Sequence, residues 1–244
     1  MNESQKRETS DLCLRMKRRI RLPDFGVIFD SDGVIVDSEP FSLAAFREAM
    51  QDQGIFLSDE DIMANCGLTD TDIVKYVLQK LGKKVDEDLF HKRKQQLYQE
   101  KVLAGDLKPC AGAALLLNAL SASNIPYALA SSGSKDKIRF NLTRVGLWDR
   151  FPVIISGEDL PRSKPHPDIF LESARRLLLP AERCVVIEDS LNGIKAAHHA
   201  RMKCVAVIGT FPPSELSQAD FIVESLKQIT VKTLRFWVFE KNFS

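Results

Sequence analysis

The sequence predicts a doubly wound parallel α/β sheet carrying a small all-helical insertion, and three observations support this. Six short apolar runs recur along the chain: FGVIFD (25–30), YALAS (127–131), VIIS (153–156), CVVIED (184–189), CVAVIG (204–209) and FIVES (221–225). Most are separated by amphipathic stretches of helical spacing, the alternation of a parallel sheet. The runs are near-continuously apolar, which indicates strands covered on both faces.

Residues 1–23 form a basic N-terminal extension, with seven Lys/Arg against three Asp/Glu through Arg21. A solvated tail is expected there, since a transit peptide avoids acids. The core domain is assigned to 24–38 and 106–230. Between its first two strands, residues 39–105 contain only helical patterns, LAAFREAM, DTDIVKYVLQKL and DEDLFHKRKQQLYQEKVL, and are read as a helical cap domain. AGAALLLNALS, KDKIRFNLTRVG, PDIFLESARRLLL and NGIKAAHHA supply helices between later strands. Residues 231–244, which include TLRFWVFEKNFS, are set apart as a C-terminal tail.

At 244 residues, 44% hydrophobic and 27% charged, the chain can bury a large core or a core plus a smaller domain. Thirty-four basic residues against 33 acidic ones give no reason to expect nucleic acid or an anionic membrane as partner. The five cysteines, Cys13, Cys66, Cys110, Cys184 and Cys204, lack any C-x-x-C pairing, so reduced thiols in a cytoplasmic setting are expected. No run approaches the ~20 apolar residues of a spanning helix, and no signal-peptide core opens the chain. A small molecule is the expected partner, and a monomer or weak homodimer the expected state.

Ligands of open parallel sheets bind outside the carboxyl ends of the strands, so the polar residues at those ends belong together. They are Asp30 and Asp32, Ser131 and Ser132, Glu188 and Asp189, with Lys164 in the loop after the third strand. Taken singly, a serine or aspartate at a strand end caps the next helix as often as it does chemistry, and Lys164 reads as a solvated loop lysine. Asp30 resists this, because it continues an apolar strand where a carboxylate is costly unless paired or metal-bound. DSDG also begins like a calcium loop, but Val34, Ile35 and Phe41 would stand at ligand, glycine and glutamate positions. The chain has no G-x-S-x-G elbow, phosphate loop, H-E-x-x-H or G-x-G-x-x-G.

Four motifs in order, FDSDGVIVDSEP, ALASS, SKPHPDIF and VVIEDSLNG, cover roughly residues 24–227 and resemble the haloacid dehalogenase superfamily. The likeness is to its helical-cap phosphatase and beta-phosphoglucomutase-like group, with a Rossmann-like core. The resemblance implies a Mg2+-dependent phosphomonoester hydrolase acting on a small phosphorylated metabolite such as a sugar phosphate. By it, Asp30 is the nucleophile that forms an aspartyl-phosphate, and Asp32 is the acid and base, starting protonated beside a like charge. Ser131, Ser132 and Lys164 hold the phosphoryl group. Mg2+ is held by Asp30, the backbone carbonyl of Asp32 and Asp189, supported by Glu188. The resemblance also makes Asp37, Ser38 and Gly33 hinge candidates on the turn into the cap.

Lys94, on a cap helix, resembles a lysine that faces substrate in the mutases, although a solvated helix face is the simpler account of it. Ser42 stands where mutases carry a histidine, and Asp70 where they carry an arginine for the distal phosphate. Both favour hydrolysis over a beta-phosphoglucomutase-like phosphotransfer. Retention of Asp30, Asp32, Lys164 and Asp189 argues against a non-catalytic phospho-ligand-binding protein.

Overall fold

The computed structural model describes residues 23–65, 70–209 and 211–239. The expected basic extension, apart from Pro23, lies outside the described residues, as do Cys13, Cys66 and the tail beyond Phe239.

The strands are β1 (Gly26–Phe29), β2 (Tyr127–Ser131), β3 (Ile154–Ser156), β4 (Cys184–Glu188), β5 (Lys203–Val207) and β6 (Phe221–Val223). They form one sheet in the order β3-β2-β1-β4-β5-β6, with every pairing parallel. Each of the six apolar runs therefore becomes a strand, as the sequence predicts. Val27 and Phe29 enter the apolar cluster on one face with Leu129, Val185 and Ile187. Ile28 enters the cluster on the other face with Ala130, Val186 and Cys204. Both side-chain directions of β1 and β4 are thus buried, which is why neither strand alternates polar with apolar residues.

Between β1 and β2 lie α1 (Glu39–Gln51), α2 (Asp59–Ala64), α3 (Asp70–Leu81) and α4 (Glu87–Ala104). Pro40 in the first turn suits the start of α1. The Asp86 carboxylate caps α4 by accepting the Leu89 N–H at 3.0 Å. α1 and α4 pack through Phe46 and Phe90, edge to face with centroids 5.9 Å apart. Hydrogen bonds tie this helical segment to the sheet half: Tyr98 Oη donates to Asn141 Oδ1 at 2.7 Å, Lys137 Nζ to Ser42 Oγ at 3.0 Å, and Ser163 Oγ to Asp72 Oδ2.

The later helices are α5 (Ala113–Ala122), α6 (Lys135–Arg144), α7 (Asp168–Arg176), α8 (Leu191–His199) and α9 (Val231–Phe239). α9 falls in the segment read as a C-terminal tail, and its Leu234 and Val238 are buried. Trp237 stacks on Phe221 with centroids 4.7 Å apart, Phe239 meets Phe25 edge-on, and Arg235 pairs with Asp24 at 2.5 Å. No helix among the described residues is long and apolar enough to cross a membrane.

Candidate active site

The Asp30 N–H donates to the Ile187 carbonyl at 2.9 Å, so the β1–β4 ladder runs one residue past the apolar run. That extra step delivers a carboxylate to the carboxyl edge of the sheet, beside the end of β4. The chain then turns sharply. The Ser31 carbonyl accepts the N–H groups of Ile35 and Val36, and the Gly33 N–H donates to the Val36 carbonyl, all at 2.9 Å. Gly33 has φ +77°, and a Cβ there would fall 2.1 Å from Asp189 Oδ2. Glycine is needed twice over, for the left-handed turn and so that the Asp189 carboxylate can lie against it.

Lys164 is 3% exposed, and its Nζ donates to Asp30 Oδ1 and to Glu188 Oε1 at 2.7 Å. The other Glu188 oxygen accepts the N–H groups of Asp189 and Ser190 at 2.8 Å each and the Ser190 hydroxyl at 2.9 Å. Ser190 Oγ in turn caps α8 by accepting the Gly193 N–H at 3.0 Å. A Cβ on Gly193 would sit 1.8 Å from Glu188 Oε1, so the carboxylate occupies space that only glycine leaves open. Ser131 is buried and its Oγ accepts the Gly133 N–H at 3.1 Å. The loop lysine and the strand-end glutamate that the sequence placed at this edge are thus buried against each other, and the lysine also holds Asp30.

Asp32 belongs to a different group of residues. One of its oxygens accepts from Ser38 Oγ and the other from Lys137 Nζ at 3.0 Å. Lys137 also donates to Ser42 Oγ at 3.0 Å and stands 4.9 Å over the centre of the Tyr98 ring. Ser42, the departure noted in the sequence, is therefore a partner of a lysine from α6. The other departure, at Asp70, has its side chain outside the described residues.

The two aspartates differ in charge preference. Burial pushes Asp30 up to about 8, with the charges of Glu188 and Asp32 adding to the rise and Lys164 opposing it. Burial also acts on Asp32, but the Lys137 ammonium and the Ser38 hydroxyl outweigh it and hold that carboxyl below its usual range. The expected division, Asp30 ionised and Asp32 protonated, relies on a metal ion beside Asp30, and these directions describe the site without one. Lys137 is a cation beside Asp32 that the sequence reading did not include.

A cavity of about 650 Å³ opens over both aspartates, within the size range of small-molecule sites. Ser132, Lys164 and Asp189 line it from the sheet side, and Lys94 lines it from α4, its Nζ 5.8 Å and 5.7 Å from the ring centres of Phe46 and Phe90. Glu39, in the first turn of α1, also lines it, and burial followed by the charge of Asp32 pushes its carboxyl up to about 7. Asn65 lines the helical side, its Nδ2 donating to the Asp61 carbonyl at 2.6 Å while its buried Oδ1 has no partner among the described residues.

Lys137, Tyr98, Glu39 and Asn65 were not singled out in the sequence. A signal existed for two of them: Glu39 and Lys137 sit in the first turns of helices that begin at the carboxyl edge, where side chains reach the site.

Among the described residues no three His, Cys, Asp or Glu side chains gather as a metal cluster. The set implied by the resemblance uses two carboxylates and a backbone carbonyl, so it does not require one. Asp30 supplies an independent observation. It is a buried carboxylate whose ionised form Lys164 alone does not sustain, and a second cation beside it would restore that form. Hard oxygen donors from Asp30, Asp189 and the Asp32 carbonyl suit Mg2+.

The sequence pattern of the haloacid dehalogenase-like hydrolase family matches residues 27–207. Hexitol phosphatase B of Escherichia coli (strain K12) is 31% identical over 228 residues, which cover 85% of this chain and 95% of that protein. Protein SUPPRESSOR OF QUENCHING 1, chloroplastic, of Arabidopsis thaliana is 33% identical over 200 residues, or 79% of this chain, and the chain spans 19% of that relative's length. A solved beta-phosphoglucomutase from Clostridium difficile shares the fold with a TM-score of 0.77 at 26% identity, covering 87% of this chain and 96% of that one.

Proposed function

Because this chain belongs to the haloacid dehalogenase-like hydrolases, we propose that it is a Mg2+-dependent phosphatase of a small, hydroxyl-rich phosphate monoester such as a sugar or polyol phosphate. The observation that carries the reading is the burial of Asp30 and Lys164 at the end of the central strand, under a cavity of metabolite size. The likeness to a hexitol phosphatase supports the substrate class. So does Asn65 Oδ1 on the cavity wall, which has no partner among the described residues, because an acceptor left open there suits a leaving group rich in hydroxyl donors. Free thiols at Cys110, Cys184 and Cys204 agree with a cytoplasmic setting.

In this reading an Asp30 oxygen attacks phosphorus, the ester P–O bond breaks, and the departing alkoxide takes a proton from Asp32. Water then attacks the phosphorus of the aspartyl-phosphate and gives a proton to Asp32, while the P–O bond to Asp30 breaks and its carboxylate returns. Lys164 and Ser131 hold the phosphoryl oxygens through both halves. Mg2+ held by Asp30, Asp189 and the Asp32 carbonyl would supply positive charge against those oxygens. Ionised Asp32, which Lys137 and Ser38 favour, is the form that accepts the proton from water. For the first half it must carry a proton, and a phosphate dianion arriving beside it raises its hold on one.

Phosphate release over a panel of hexitol phosphates, hexose phosphates and nucleotides, with Mg2+ and with chelator, tests the reading. The expected outcome is release from polyol or sugar esters that chelation abolishes and Mg2+ restores. Full activity in excess chelator, or release from none of the esters, would overturn it. Conversion of beta-glucose 1-phosphate to glucose 6-phosphate without free phosphate would mark a mutase instead.

A further inference from the structure

Lys137 is the third residue of α6, and its backbone N–H donates to the capping hydroxyl of Ser134 at 3.2 Å, which fixes how the first turn meets the sheet edge. From there the side chain runs inward until its Nζ donates at 3.0 Å both to Asp32 Oδ2 and to Ser42 Oγ, over the face of Tyr98. It touches one residue from the turn after β1, one from α1 and one from α4, and it lines the cavity. With Ser38 on the opposite oxygen of Asp32, both carboxylate oxygens are bonded and rotation about the last side-chain torsion is blocked. A lysine needed only for fold stability gains little from such a place, because ordering and desolvating its ammonium offsets most of what the ion pair returns. A lysine needed to aim a carboxylate belongs there, since a proton-transfer group works only within hydrogen-bond reach of the oxygen it serves.

We infer that Lys137 is a positioning residue: it holds the Asp32 carboxylate at the point from which a proton passes to the leaving-group oxygen. This rests on the function proposed above and adds to it a residue from α6. Lys137 itself makes no bond to the reacting atoms. Ser42 is the second anchor that keeps the ammonium from following Asp32 should the carboxylate swing away, and through Ser42 and Tyr98 the aim depends on the helical segment being seated.

The test compares Lys137→Met and Lys137→Arg with the unaltered protein on the alkyl ester it hydrolyses best and on p-nitrophenyl phosphate, whose leaving group needs no proton. For Lys137→Met, kcat on the alkyl ester should fall about 10- to 100-fold with KM held within about threefold, and kcat on p-nitrophenyl phosphate should stay within about threefold. Lys137→Arg should recover part of the loss. Equal loss on both esters, a rise in KM with kcat retained, or no loss at all would each overturn the inference. Should Lys137→Met fail to fold, Ser42→Ala carries the test: a selective fall in alkyl-ester kcat of about threefold or more supports the aim, and an unselective effect or none overturns it. An unaltered protein that hydrolyses neither ester would overturn the phosphatase reading and this inference with it, whereas hydrolysis of both with an unselective variant overturns the positioning role alone.

Discussion

Asp30 shares a buried lysine from the loop after β3 with a buried glutamate at the end of β4, whereas Asp32, two residues further on, accepts from a lysine of α6 and from Ser38 just before α1. The first environment is rigid. Strand ladders, two glycines that admit carboxylates, and a capped helix fix it, and more carboxylate than ammonium is packed into it. The second is assembled from α6 and the segment entering the helical insertion, and cation and acceptors are closely matched. Burial in the first environment pushes its aspartate up, and the cation in the second holds its aspartate below the usual carboxylate range. Nearness in sequence therefore says little about how two carboxylates share a site. What decides it is which elements bring their neighbours.

The sharpest way to break this contrast is Asp30→Asn. Activity should fall at least ~10³-fold on every ester, activated or not, since an amide cannot attack phosphorus. The unfolding midpoint should move little, because Lys164 keeps Glu188. Steady-state phosphate release and a thermal melt measure the two, and retention of more than a few per cent of activity would sink the nucleophile.

Lys164→Met probes the same environment through stability. It leaves Asp30 and Glu188 facing each other without a cation, and about 3–5 kcal/mol of folding free energy should be lost at neutral pH. The loss should grow as pH rises through about 8, where Asp30 ionises beside Lys164 but lacks that partner in the variant. Urea titrations at two pH values measure both, and a loss under about 1 kcal/mol would mean the cluster relaxes into water.

Gly193→Ala should cost less, about 1–3 kcal/mol, because the new methyl must displace Glu188 from the bonds that hold Asp189 and Ser190. Mg2+ dependence should weaken in parallel, as a higher Mg2+ concentration for half-maximal activity. An unchanged Mg2+ requirement would separate Glu188 from the metal.

On the helical side, Glu39→Gln should show the smallest effect, a rise in KM of about three- to tenfold for a polyol ester with kcat nearly kept. Its stability signature has a definite sign. Glu39 is raised from an ordinary 4.5 to about 7 in the folded protein, so its contribution is full below its unfolded value and is lost as pH rises through about 7. Asp30 acts in the same direction. The variant should therefore lose less stability than the unaltered protein between those two values, and identical slopes would show that Glu39 titrates normally.

The strand-end environment was readable in the sequence because a buried parallel strand advertises itself as an unbroken apolar run, and the residue that ends it is conspicuous. Asp30, Ser131, Glu188 and Asp189 all follow such runs, and Gly33 and Gly193 stand in the same motifs. The helical environment was not readable to the same degree. KDKIRF looks like a solvated first turn, and although its place at the carboxyl edge puts Lys137 near the site, nothing local names Asp32, more than a hundred residues earlier, as its partner. Asn65 and Tyr98 come from helices whose register over the sheet no periodicity records. α9 escaped for another reason: Phe236, Trp237 and Phe239 crowd a short segment that reads as an apolar run before it reads as a helix.

The placement of β1 at the centre of the sheet, paired through Val27 to both Tyr127 and Val185, has a consequence for how the molecule comes into being. Its apolar strand is synthesised well before either neighbour, and β4 follows it by an interval on the order of ten seconds at ordinary ribosomal rates. During that time GVIF is an unpaired strand, while α1 to α4 can form from contacts close in sequence. The helical insertion would then exist as a folded unit before Asp30 has its neighbours, and the carboxyl edge would be completed only when β4 arrives and α9 closes over Phe25.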